Sequence, residues 1–388
     1  MSGMATASIG WYVHVPFCTT KCGYCDFYSV PTRPGQIFLL TDALRREMEA
    51  RDPRRPIASV FVGGGTPTVL PREALSALLE PLAARLASQT GGGNEPIEFT
   101  CEANPSSADE LKLDLLRSRG VNRLSLGAQS FDEGDLRVLE RLHDPSHVSS
   151  AVTAARRAGF DNLNLDLIFA VPGQTLSSWL ESLRRAIEIG PEHIACYSLM
   201  YEEGTALTRR LRLGQVQPCD EDLEADLYEA AVDVLRDAGY EQYEISNFAR
   251  PGRECRHNLL YWRNEEYVGI GPSAVSYLDG ERRKNAASVD GYLRAWCAGG
   301  TEADGAVVER EALDAPYRAR ETAVQMLRLT AGIDVRRFAA ATGFDPLSLF
   351  AEAIERHARG GLLEADGGSI RLTRRGRLLA NRVMADFL

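Results

Sequence analysis

Three cysteines stand within eight residues near the start of the chain, and their spacing limits the chemistry that they can perform. Cys18, Cys22 and Cys25 occur in the segment FCTTKCGYC, and no second close pair of cysteines follows. A closed structural zinc site needs four ligands, commonly two separated pairs. Three thiolates on one loop can instead hold three corners of a cubane [4Fe-4S] cluster and leave the fourth iron open to a small ligand. We therefore predict an iron–sulfur cluster on these cysteines.

Two other interpretations of the cysteine loop remain open from the residues alone. His14 could complete a zinc site with the three thiols, or the cysteines could be unrelated buried side chains. The chain has 8 Cys in 388 residues, which is too few for a disulfide scaffold. Because thiolate ligands suit a reducing compartment, we expect a cytoplasmic protein.

The composition argues against several functional classes. Asp and Glu total 54 against 44 for Lys and Arg, which gives a formal net charge of −10. This acidic balance argues against a general nucleic-acid binder, which needs a basic surface for phosphate contacts. No apolar run is long enough to span a bilayer, and the first ten residues lack the features of a signal peptide.

Short apolar segments alternate with longer amphipathic segments through the first half of the chain. The predicted strands are residues 11–15, 57–62, 97–101, 123–126, 162–168 and 193–199, with a glycine-rich loop at 91–94. The predicted helices are residues 37–50, 72–86, 111–119, 135–142, 148–158 and 177–189. This alternation indicates a parallel sheet with helices on its faces. Because six strands are fewer than the eight of a TIM barrel, we predict an α/β fold with a partial (β/α)6 TIM-like parallel barrel.

Polar residues follow the predicted strands at the end where such a barrel carries its active site. The second strand runs into a glycine-rich segment, residues 63–67, where a ligand can approach the backbone closely. Glu102 and Gln129 end the third and fourth strands, and Asp166 lies in the fifth. Each residue alone fits an ordinary side chain that hydrogen-bonds its loop. Together, beside the cysteine loop, they predict a pocket for a polar, zwitterionic ligand that carries a nucleoside.

Several segments together resemble the HemW haem chaperones of the radical S-adenosylmethionine (SAM) superfamily, which are related to the oxygen-independent coproporphyrinogen III oxidases. The segments are YVHVPFCTTKCGYCDFYS, VFVGGGTPTVL, CEANP, SLGAQSF, LNLDLIFAVPGQT, YEISNFARPG and CRHNLLYW. The similarity runs from about Trp11 to Tyr277 and continues more loosely to the end. It implies that SAM binds the open iron of the cluster through its amino and carboxylate groups.

The resemblance also implies which residues contact SAM. They are Tyr12, Tyr24, Gly64, Gly65, Thr66, Glu102, Gln129, Arg141 and Asp166. The Glu and the Asp suit the ribose hydroxyls, whereas the Gln, the Arg and the glycine loop suit the methionine carboxylate and amino group. Without the resemblance, Arg141 in its predicted helix is equally compatible with a solvated surface charge.

A second motif, HNLLYW, begins at His257. A neutral imidazole can ligate haem iron, and neighbouring aromatic rings can stack on a porphyrin. From the residues alone, a loop histidine held by hydrogen bonds is the simpler interpretation. In the HemW group this HNxxYW string is proposed to be haem-associated, so the resemblance makes His257 the candidate haem contact. Weaker candidates are His14, His143, His147, His193 and Cys255.

The composition shifts after residue 313. Predicted helices at 317–329, 334–342 and 346–359 precede a hairpin that turns at 366–368, and a last helix follows. This order predicts a small C-terminal helical, winged-helix-like domain. We divide the chain into a radical SAM barrel (1–240), a connecting region with the HNxxYW motif (241–313) and the C-terminal domain (314–388). Five arginines and no acidic residue lie between 371 and 382, which favours phosphate contact and makes a nucleic-acid-binding regulator one alternative function.

The resemblance implies a haem chaperone that binds the cluster, SAM and haem and passes haem to an acceptor apoprotein. The acidic balance of the chain argues against a nucleic-acid partner, and a transient peripheral membrane contact during haem delivery is a further expectation. The main alternative is a radical SAM enzyme, in which an electron from the cluster splits SAM to a 5′-deoxyadenosyl radical. Such an enzyme would oxidise coproporphyrinogen or methylate a substrate, so the sequence alone leaves enzymatic activity undecided.

Two departures from the oxidases favour the chaperone. In the oxidases a further cysteine follows shortly after the third cluster ligand and takes part in the chemistry. Here Asp26, Phe27 and Tyr28 follow Cys25, and the next cysteine is Cys101. The oxidases also carry an N-terminal extension that helps to enclose their substrate, whereas this chain begins ten residues before its first predicted strand.

Overall fold

The computed structural model describes residues 8–89, 96–141, 144–297 and 305–388 of the chain. The predicted loop at 91–94 and the weaker haem candidate His143 lie outside these ranges. Within them, no helix combines the length and the apolar character that crossing a membrane requires.

The strands follow one another along the chain and vary from two to eight residues in length. They are β1 (Ile9–Val15), β2 (Phe17–Cys18), β3 (Val30–Pro31), β4 (Ile57–Gly64), β5 (Glu98–Ala103), β6 (Arg123–Gln129), β7 (Leu163–Phe169), β8 (His193–Ser198), β9 (Glu241–Gln242), β10 (Asn247–Ala249), β11 (Tyr267–Ile270), β12 (Val275–Leu278), β13 (Glu281–Asn285), β14 (Val307–Ala312), β15 (Ile333–Asp334), β16 (Leu363–Ala365) and β17 (Ser369–Leu372).

The α-helices lie between these strands and after them. They are α1 (Pro34–Arg51), α2 (Arg72–Ala87), α3 (Glu110–Ser118), α4 (Glu133–Val138), α5 (Pro145–Arg157), α6 (Leu176–Ile189), α7 (Ala206–Arg212), α8 (Glu221–Asp237), α9 (Arg256–Trp262), α10 (Val289–Cys297), α11 (Ala315–Leu327), α12 (Val335–Thr342), α13 (Pro346–Leu349), α14 (Ala351–Arg359), α15 (Arg374–Leu378) and α16 (Ala380–Ala385).

One parallel sheet organises the first part of the chain. Its strands lie in the order β11-β1-β4-β5-β6-β7-β8, and β1 and β4 to β8 are the six that the sequence predicts. Antiparallel strands extend it on both sides, with β12 to β14 beyond β11 and then β10 and β9 beyond β8. Strands β14 and β9 are therefore the two edges, and the sheet is open. This confirms the predicted α/β fold with an incomplete parallel barrel.

Strand β11 is absent from the sequence prediction. It lies in the connecting region, residues 241–313, and pairs in parallel with β1, with Trp11 opposite Val268. The connecting region therefore contributes to the same sheet as the predicted barrel, and the division of the chain at residue 240 stays a prediction.

Burial of both faces explains why the strands read as continuous apolar runs. In β1 every side chain except that of Tyr12 is buried. The helices that cover the sheet are bounded by local signals, as in α6. Its first turn is capped by Thr175 in a capping box with Ser178, and it ends at Gly190, whose φ of 70° lies in the left-handed region that glycine tolerates. The Trp179 indole of α6 donates to the Leu227 carbonyl oxygen of α8 at 2.9 Å and ties the two helices together.

The C-terminal region has an apolar core of its own. Helices α11 to α16 pack around it, and the rings of Phe350 and Phe387 lie 4.8 Å apart. Strands β15, β17 and β16 form a separate antiparallel sheet that includes the predicted hairpin. Helices followed by this hairpin give the predicted winged-helix-like arrangement.

The arginines of the last segment are partly neutralised by acidic residues. Arg374 forms hydrogen-bonded ion pairs with Glu229 and Asp233 of α8, with its Nη1 2.7 Å from Asp233 Oδ1. Arg371 pairs with Glu364 across the hairpin, with Nε and Oε2 3.0 Å apart. Two of the five arginines thus hold the fold together, which weakens the argument for phosphate contact.

Candidate cofactor site at the carboxyl ends of the strands

A cavity of about 490 Å³ lies where the parallel strands end. Its walls come from the cysteine loop after β1 and from the segments that follow β4, β5, β6, β7 and β8. Of the predicted residues, the lining contains Cys18, Cys22, Cys25, Tyr24, Gly64, Gly65, Thr66, Glu102, Gln129, Arg141 and Asp166. The strands therefore gather at one place the side chains that the sequence scatters over about 150 residues.

The cysteine loop is closed at its base. Strand β2 pairs in parallel with β3, with Phe17 opposite Val30 and Cys18 opposite Pro31. Within the loop, the Cys25 backbone amide donates to the Cys22 carbonyl oxygen at 3.2 Å in a tight turn. All three thiols are free and partly exposed to the cavity. Burial raises the pKa of the Cys18 and Cys25 thiols, so without a metal they stay protonated at neutral pH.

The surroundings of the thiols fit a cubane better than a zinc ion. His14 is not available as a fourth ligand, because its Nδ1 is 2.8 Å from Tyr12 Oη and its Nε2 is 2.8 Å from the Tyr28 carbonyl oxygen. In the described ranges, no three side chains of His, Cys, Asp or Glu converge on a single-ion site. In a cubane each thiolate binds a different iron, so separate positions along a cavity wall are what a cluster needs.

Arg141 points a positive charge at the same place. Its Nη1 donates to the Cys22 sulfur at 3.4 Å, and its Nη2 donates to the Gly127 carbonyl oxygen at 2.7 Å. The buried Nε makes no hydrogen bond to a described residue. Arg141 therefore belongs to the cavity wall, where an anionic cluster or carboxylate suits it, and it is not a solvated surface charge.

The glycine loop after β4 lies directly against β1 and the cysteine loop. Gly64 has a φ of 103°, and a Cβ there would lie 2.4 Å from the His14 ring. The amide of Gly65 donates to the Val15 carbonyl oxygen, and that of Thr66 donates to the Phe17 carbonyl oxygen, both at 2.8 Å. Only glycine fits this close approach, which places the Thr66 hydroxyl 3.6 Å from the Cys18 sulfur.

The predicted carboxyl groups of Glu102 and Asp166 line the cavity, as do those of Asp26, Glu140 and Glu202, and neither predicted group forms an ion pair with a described residue. Glu102 Oε2 accepts from the Gly64 amide at 3.0 Å. Burial, and after it the nearby Asp166 charge, raises the pKa of Glu102 to about 7. Asp166 accepts from Asn164 Nδ2 at 2.8 Å and from Ser125 Oγ at 3.1 Å, and burial nevertheless raises its pKa. Both groups retain free acceptor capacity toward the cavity, which suits ligand hydroxyls.

Gln129 reaches the cavity through a local irregularity of β6. The pairing of β6 with β7 shifts register between Gly127 and Gln129, and Gln129 adopts a φ of 67°. A bulge of this kind redirects a side chain and is common beside active sites.

The structure places two of the predicted residues elsewhere. Tyr12 does not line the cavity, because its hydroxyl is bonded to His14 beneath the glycine loop. His257 lies at the opposite, amino ends of the strands: its Nδ1 is 2.8 Å from Ser59 Oγ near the start of β4, and its Nε2 is 2.9 Å from Tyr261 Oη. Burial, and then the Arg123 charge, lowers the pKa of His257 to about 3. Since both ring nitrogens are engaged in the interior, these surroundings do not support the predicted haem contact.

Helix α9, which carries the HNxxYW motif, covers those amino ends. The backbone amides of Arg256 and His257 donate to the Glu98 carboxylate at the start of β5, at 2.9 and 3.1 Å. A Cβ at Gly10, the second residue of β1, would lie 2.9 Å from the Leu260 side chain of this helix. The motif is therefore packed against the amino ends of the parallel strands, which we call the floor of the sheet.

Several cavity residues escaped the sequence prediction. Ser125 and Asn164 hydrogen-bond Asp166 from two adjacent strands. Asn164, which supports the wall without lining the cavity itself, lies two residues before Asp166 on the same face of β7, and this alternation is the signal that could have found it. Phe27 and Met200 also line the cavity although they are 68% and 62% exposed, so the mouth carries an apolar rim.

Comparisons with known proteins agree with this geometry. The sequence profile of the Radical SAM superfamily matches residues 12–186, and that of the HemN C-terminal domain matches residues 313–379. The chain is 35% identical over 382 residues to the heme chaperone HemW of Bacillus subtilis (strain 168), covering 97% of this chain and 98% of that protein. It is 38% identical over 278 residues to the heme chaperone HemW of Escherichia coli (strain K12), covering 69% and 71% of the two chains. Among solved structures, coproporphyrinogen III oxidase (HemN) from Escherichia coli, a radical SAM enzyme, superposes with a TM-score of 0.83 at 25% identity over 100% of this chain and 91% of that one.

Proposed function

The chain belongs to the HemW family of radical SAM proteins, and we propose that it is a haem chaperone that carries a [4Fe-4S] cluster and SAM and passes haem to an acceptor apoprotein. The observation that carries the proposal is the cavity, where three thiols, a glycine loop and two carboxyl groups without ion-pair partners face one another. The reduced thiols suit the cytoplasm.

Each group of side chains has its own task in this proposal. Cys18, Cys22 and Cys25 hold the cluster, which supplies an open iron and single electrons when it is bound. Glu102 and Asp166 accept hydrogen bonds from the ribose hydroxyls of SAM. Gln129 and Arg141 receive its charged methionine end, because the Arg141 guanidinium already lies beside Cys22.

The apolar rim supports haem uptake at the cavity mouth. A porphyrin needs an apolar surface to leave water, and Phe27 and Met200 offer one that the described residues leave exposed. His257 could bind iron only after both its hydrogen bonds break and α9 leaves the floor of the sheet. We therefore expect the rim, and not His257, to contact haem, with release to an apoprotein or a membrane-associated acceptor from this open side.

A radical SAM enzyme acting on coproporphyrinogen is the second candidate, and the superposition on HemN favours it. The cavity lining argues for the chaperone, because its described residues include no cysteine besides Cys18, Cys22 and Cys25. The position after Cys25, near which the oxidases carry their additional cysteine, is occupied by Asp26.

Anaerobic reconstitution followed by titration with haem and with SAM tests the proposal. We expect about four iron and four sulfide per chain, SAM binding, and about one haem per chain. Coproporphyrinogen III should be recovered unchanged from the reconstituted protein. Steady formation of protoporphyrinogen IX would show that the protein is an oxidase and not a chaperone. Stoichiometric zinc in protein kept from oxygen would refute the cluster.

Haem titration of two variants then locates the haem contact. Phe27→Ser should weaken haem binding, whereas His257→Leu should leave haem affinity unchanged if it folds. The reverse result would place haem at the HNxxYW motif.

A further inference from the structure

We propose that helix α9 positions Asp166 in the cofactor cavity through a continuous chain of hydrogen bonds, so that Asn258, Tyr243 and His193 are positioning residues. The proposal rests on the proposed function, since the ligand that Asp166 receives is SAM. It gives the HNxxYW motif, whose Asn is Asn258, a task at the site although the motif lies at the other end of the sheet.

The chain of contacts is continuous from the cavity to the floor. Asn164 Nδ2 donates to Asp166 Oδ1 at 2.8 Å, and Asn164 Oδ1 is 2.6 Å from His193 Nδ1. His193 Nε2 is 2.9 Å from Tyr243 Oη, which accepts from Asn258 Nδ2 at 3.4 Å. Asn164 and His193 are direct partners in the pairing of β7 with β8, and both are buried. The strands therefore fix the central link.

The direction of each hydrogen bond follows from the donors that are present. The Asn164 amide nitrogen faces the Asp166 carboxylate and, at 2.7 Å, Ser125 Oγ. The reverse orientation of the amide would place its oxygen against the carboxylate, so the amide oxygen must face His193 and accept from it. His193 Nδ1 then carries the proton, and its Nε2 accepts from the Tyr243 hydroxyl. All donors in the chain thus point toward Asp166.

The protonation states support this direction. Burial, and after it the Arg123 charge, lowers the pKa of His193 well below 6.5, so the ring stays neutral and has one proton. Burial raises the pKa of Tyr243, so its hydroxyl remains a donor. Aligned hydrogen bonds that end on a carboxylate strengthen one another and hold that group in place. Asp166 is thereby oriented before its ligand arrives.

Tyr243→Phe is the sharpest test, because it removes the hydroxyl between His193 and Asn258 and keeps the ring. Tyr240→Phe is the matched control: Tyr240 lies three residues away and is buried, and its hydroxyl donates to the Pro191 carbonyl oxygen at 2.7 Å, outside this series of hydrogen bonds. In reconstituted protein with full iron, we expect Tyr243→Phe to weaken SAM binding about 3- to 10-fold by calorimetry. Tyr240→Phe should leave the SAM affinity unchanged. Equal SAM affinities in the two variants would overturn the proposal.

A double-mutant cycle separates positioning from general loosening of the fold. If Tyr243 acts through Asp166, Tyr243→Phe should have no further effect on SAM affinity in an Asp166→Ala background. Fully additive losses would mean that Tyr243 acts by another route. Should Tyr243→Phe fail to fold, Asn258→Ala at the accessible end of the chain serves the same cycle with an expected loss of about 2-fold.

The tautomer of His193 gives a readout that does not depend on SAM. The chain has 6 His, so selective ¹⁵N-histidine labelling resolves the ring nitrogens by NMR. We expect the proton on Nδ1 in the wild type and also in Tyr243→Phe, because Asn164 Oδ1 still needs a donor, whereas the Nε2 resonance should shift when it loses the Tyr243 hydroxyl. A proton on Nε2 in the wild type would overturn the hydrogen-bond chain, whereas a wild type that binds no SAM would overturn only the proposed function.

Discussion

Polar groups at the two ends of the parallel strands differ in whether the protein itself provides their partners. At the carboxyl ends, three free thiols and the carboxyl groups of Glu102 and Asp166, which have no ion-pair partner among the described residues, face a cavity. The buried Nε of Arg141, in the wall of this cavity, makes no hydrogen bond to a described residue. At the amino ends, α9 supplies partners from the chain: the Glu98 carboxylate accepts two backbone amides, and both nitrogens of His257 are bonded.

This difference separates binding chemistry from stability. A buried polar group that lacks a partner costs free energy until a ligand provides one, so the carboxyl ends are built to receive a cofactor. At the amino ends, Glu98 and His257 already have partners in the protein, and in barrel folds that end carries stability. We therefore expect His257 to contribute to stability and not to bind haem iron.

The largest expected effect lies at the carboxyl ends of the strands, in the cysteine loop. Replacement of Cys18, Cys22 or Cys25 by Ala should abolish the cluster, because two thiolates do not hold a cubane against loss of iron. Iron and sulfide analysis after anaerobic reconstitution measures the loss, and circular dichroism should show an unchanged fold. Cys219→Ala, which alters a thiol away from the cavity, should retain full iron. Full iron in Cys22→Ala would contradict the cluster assignment.

At the amino ends, replacement of His257 should lower stability and leave haem binding unchanged. His257→Leu leaves Ser59 and Tyr261 without their buried partner and should lower the free energy of unfolding by about 2–4 kcal/mol. Urea unfolding of the metal-free protein checks this, and the exposed His147→Leu should change nothing. A His257→Leu variant of wild-type stability that no longer binds haem would reverse our assignment of the two ends.

The carboxyl groups of the cavity should affect SAM affinity without affecting iron. Removing a charge-assisted hydrogen bond costs about 1.5–3 kcal/mol, so Asp166→Ala and Glu102→Ala should each weaken SAM binding about 10- to 100-fold. Calorimetry on the reconstituted variants measures this. Asp161→Ala, an exposed acid close to β7, is the control. Wild-type affinity in both variants would place the SAM pocket elsewhere.

The smallest expected effect is a dependence of stability on pH. The Glu102 carboxyl, whose pKa rises from 4.5 to about 7 on folding, keeps in the folded protein a proton that the unfolded chain releases. Its contribution is present below pH 4.5 and is lost as the pH rises through about 7. Relative to Glu102→Gln, the metal-free wild type should lose about 1–2 kcal/mol between these limits, after allowance for solvent in the open cavity.

Urea titrations of the two proteins at pH 4.5 and pH 8 decide the point. The buried histidines shift stability in the opposite direction, but they are present in both proteins and cancel in the difference. Parallel pH profiles would show that the carboxyl has an ordinary pKa.

Local patterns predicted most of the fold but only part of the site. The six strands were visible because burial on both faces makes each an apolar run. Strand β11 was missed because four residues, YVGI, carry little periodicity and pair with a strand more than 250 positions away. Tyr12 and His257 were assigned to ligands by resemblance, yet their partners are His14, Ser59 and Tyr261. Of these contacts only the one between His257 and Ser59 spans a long sequence distance, and no local pattern could have revealed it.

The pairing of β2 with β3 has a consequence for the order of assembly. In zinc fingers the metal closes the loop, so loading and folding are one event. Here backbone hydrogen bonds of the protein itself join the ends of the cysteine loop: the Val30 amide donates to the Pro16 carbonyl oxygen at 2.8 Å, and the Thr32 amide donates to the Cys18 carbonyl oxygen at 3.2 Å. The entropy of loop closure is thus lost during folding and not during loading. We therefore expect the cysteine loop to be closed before any iron binds. A protein that has lost its cluster through oxidation should then accept a new cluster without unfolding.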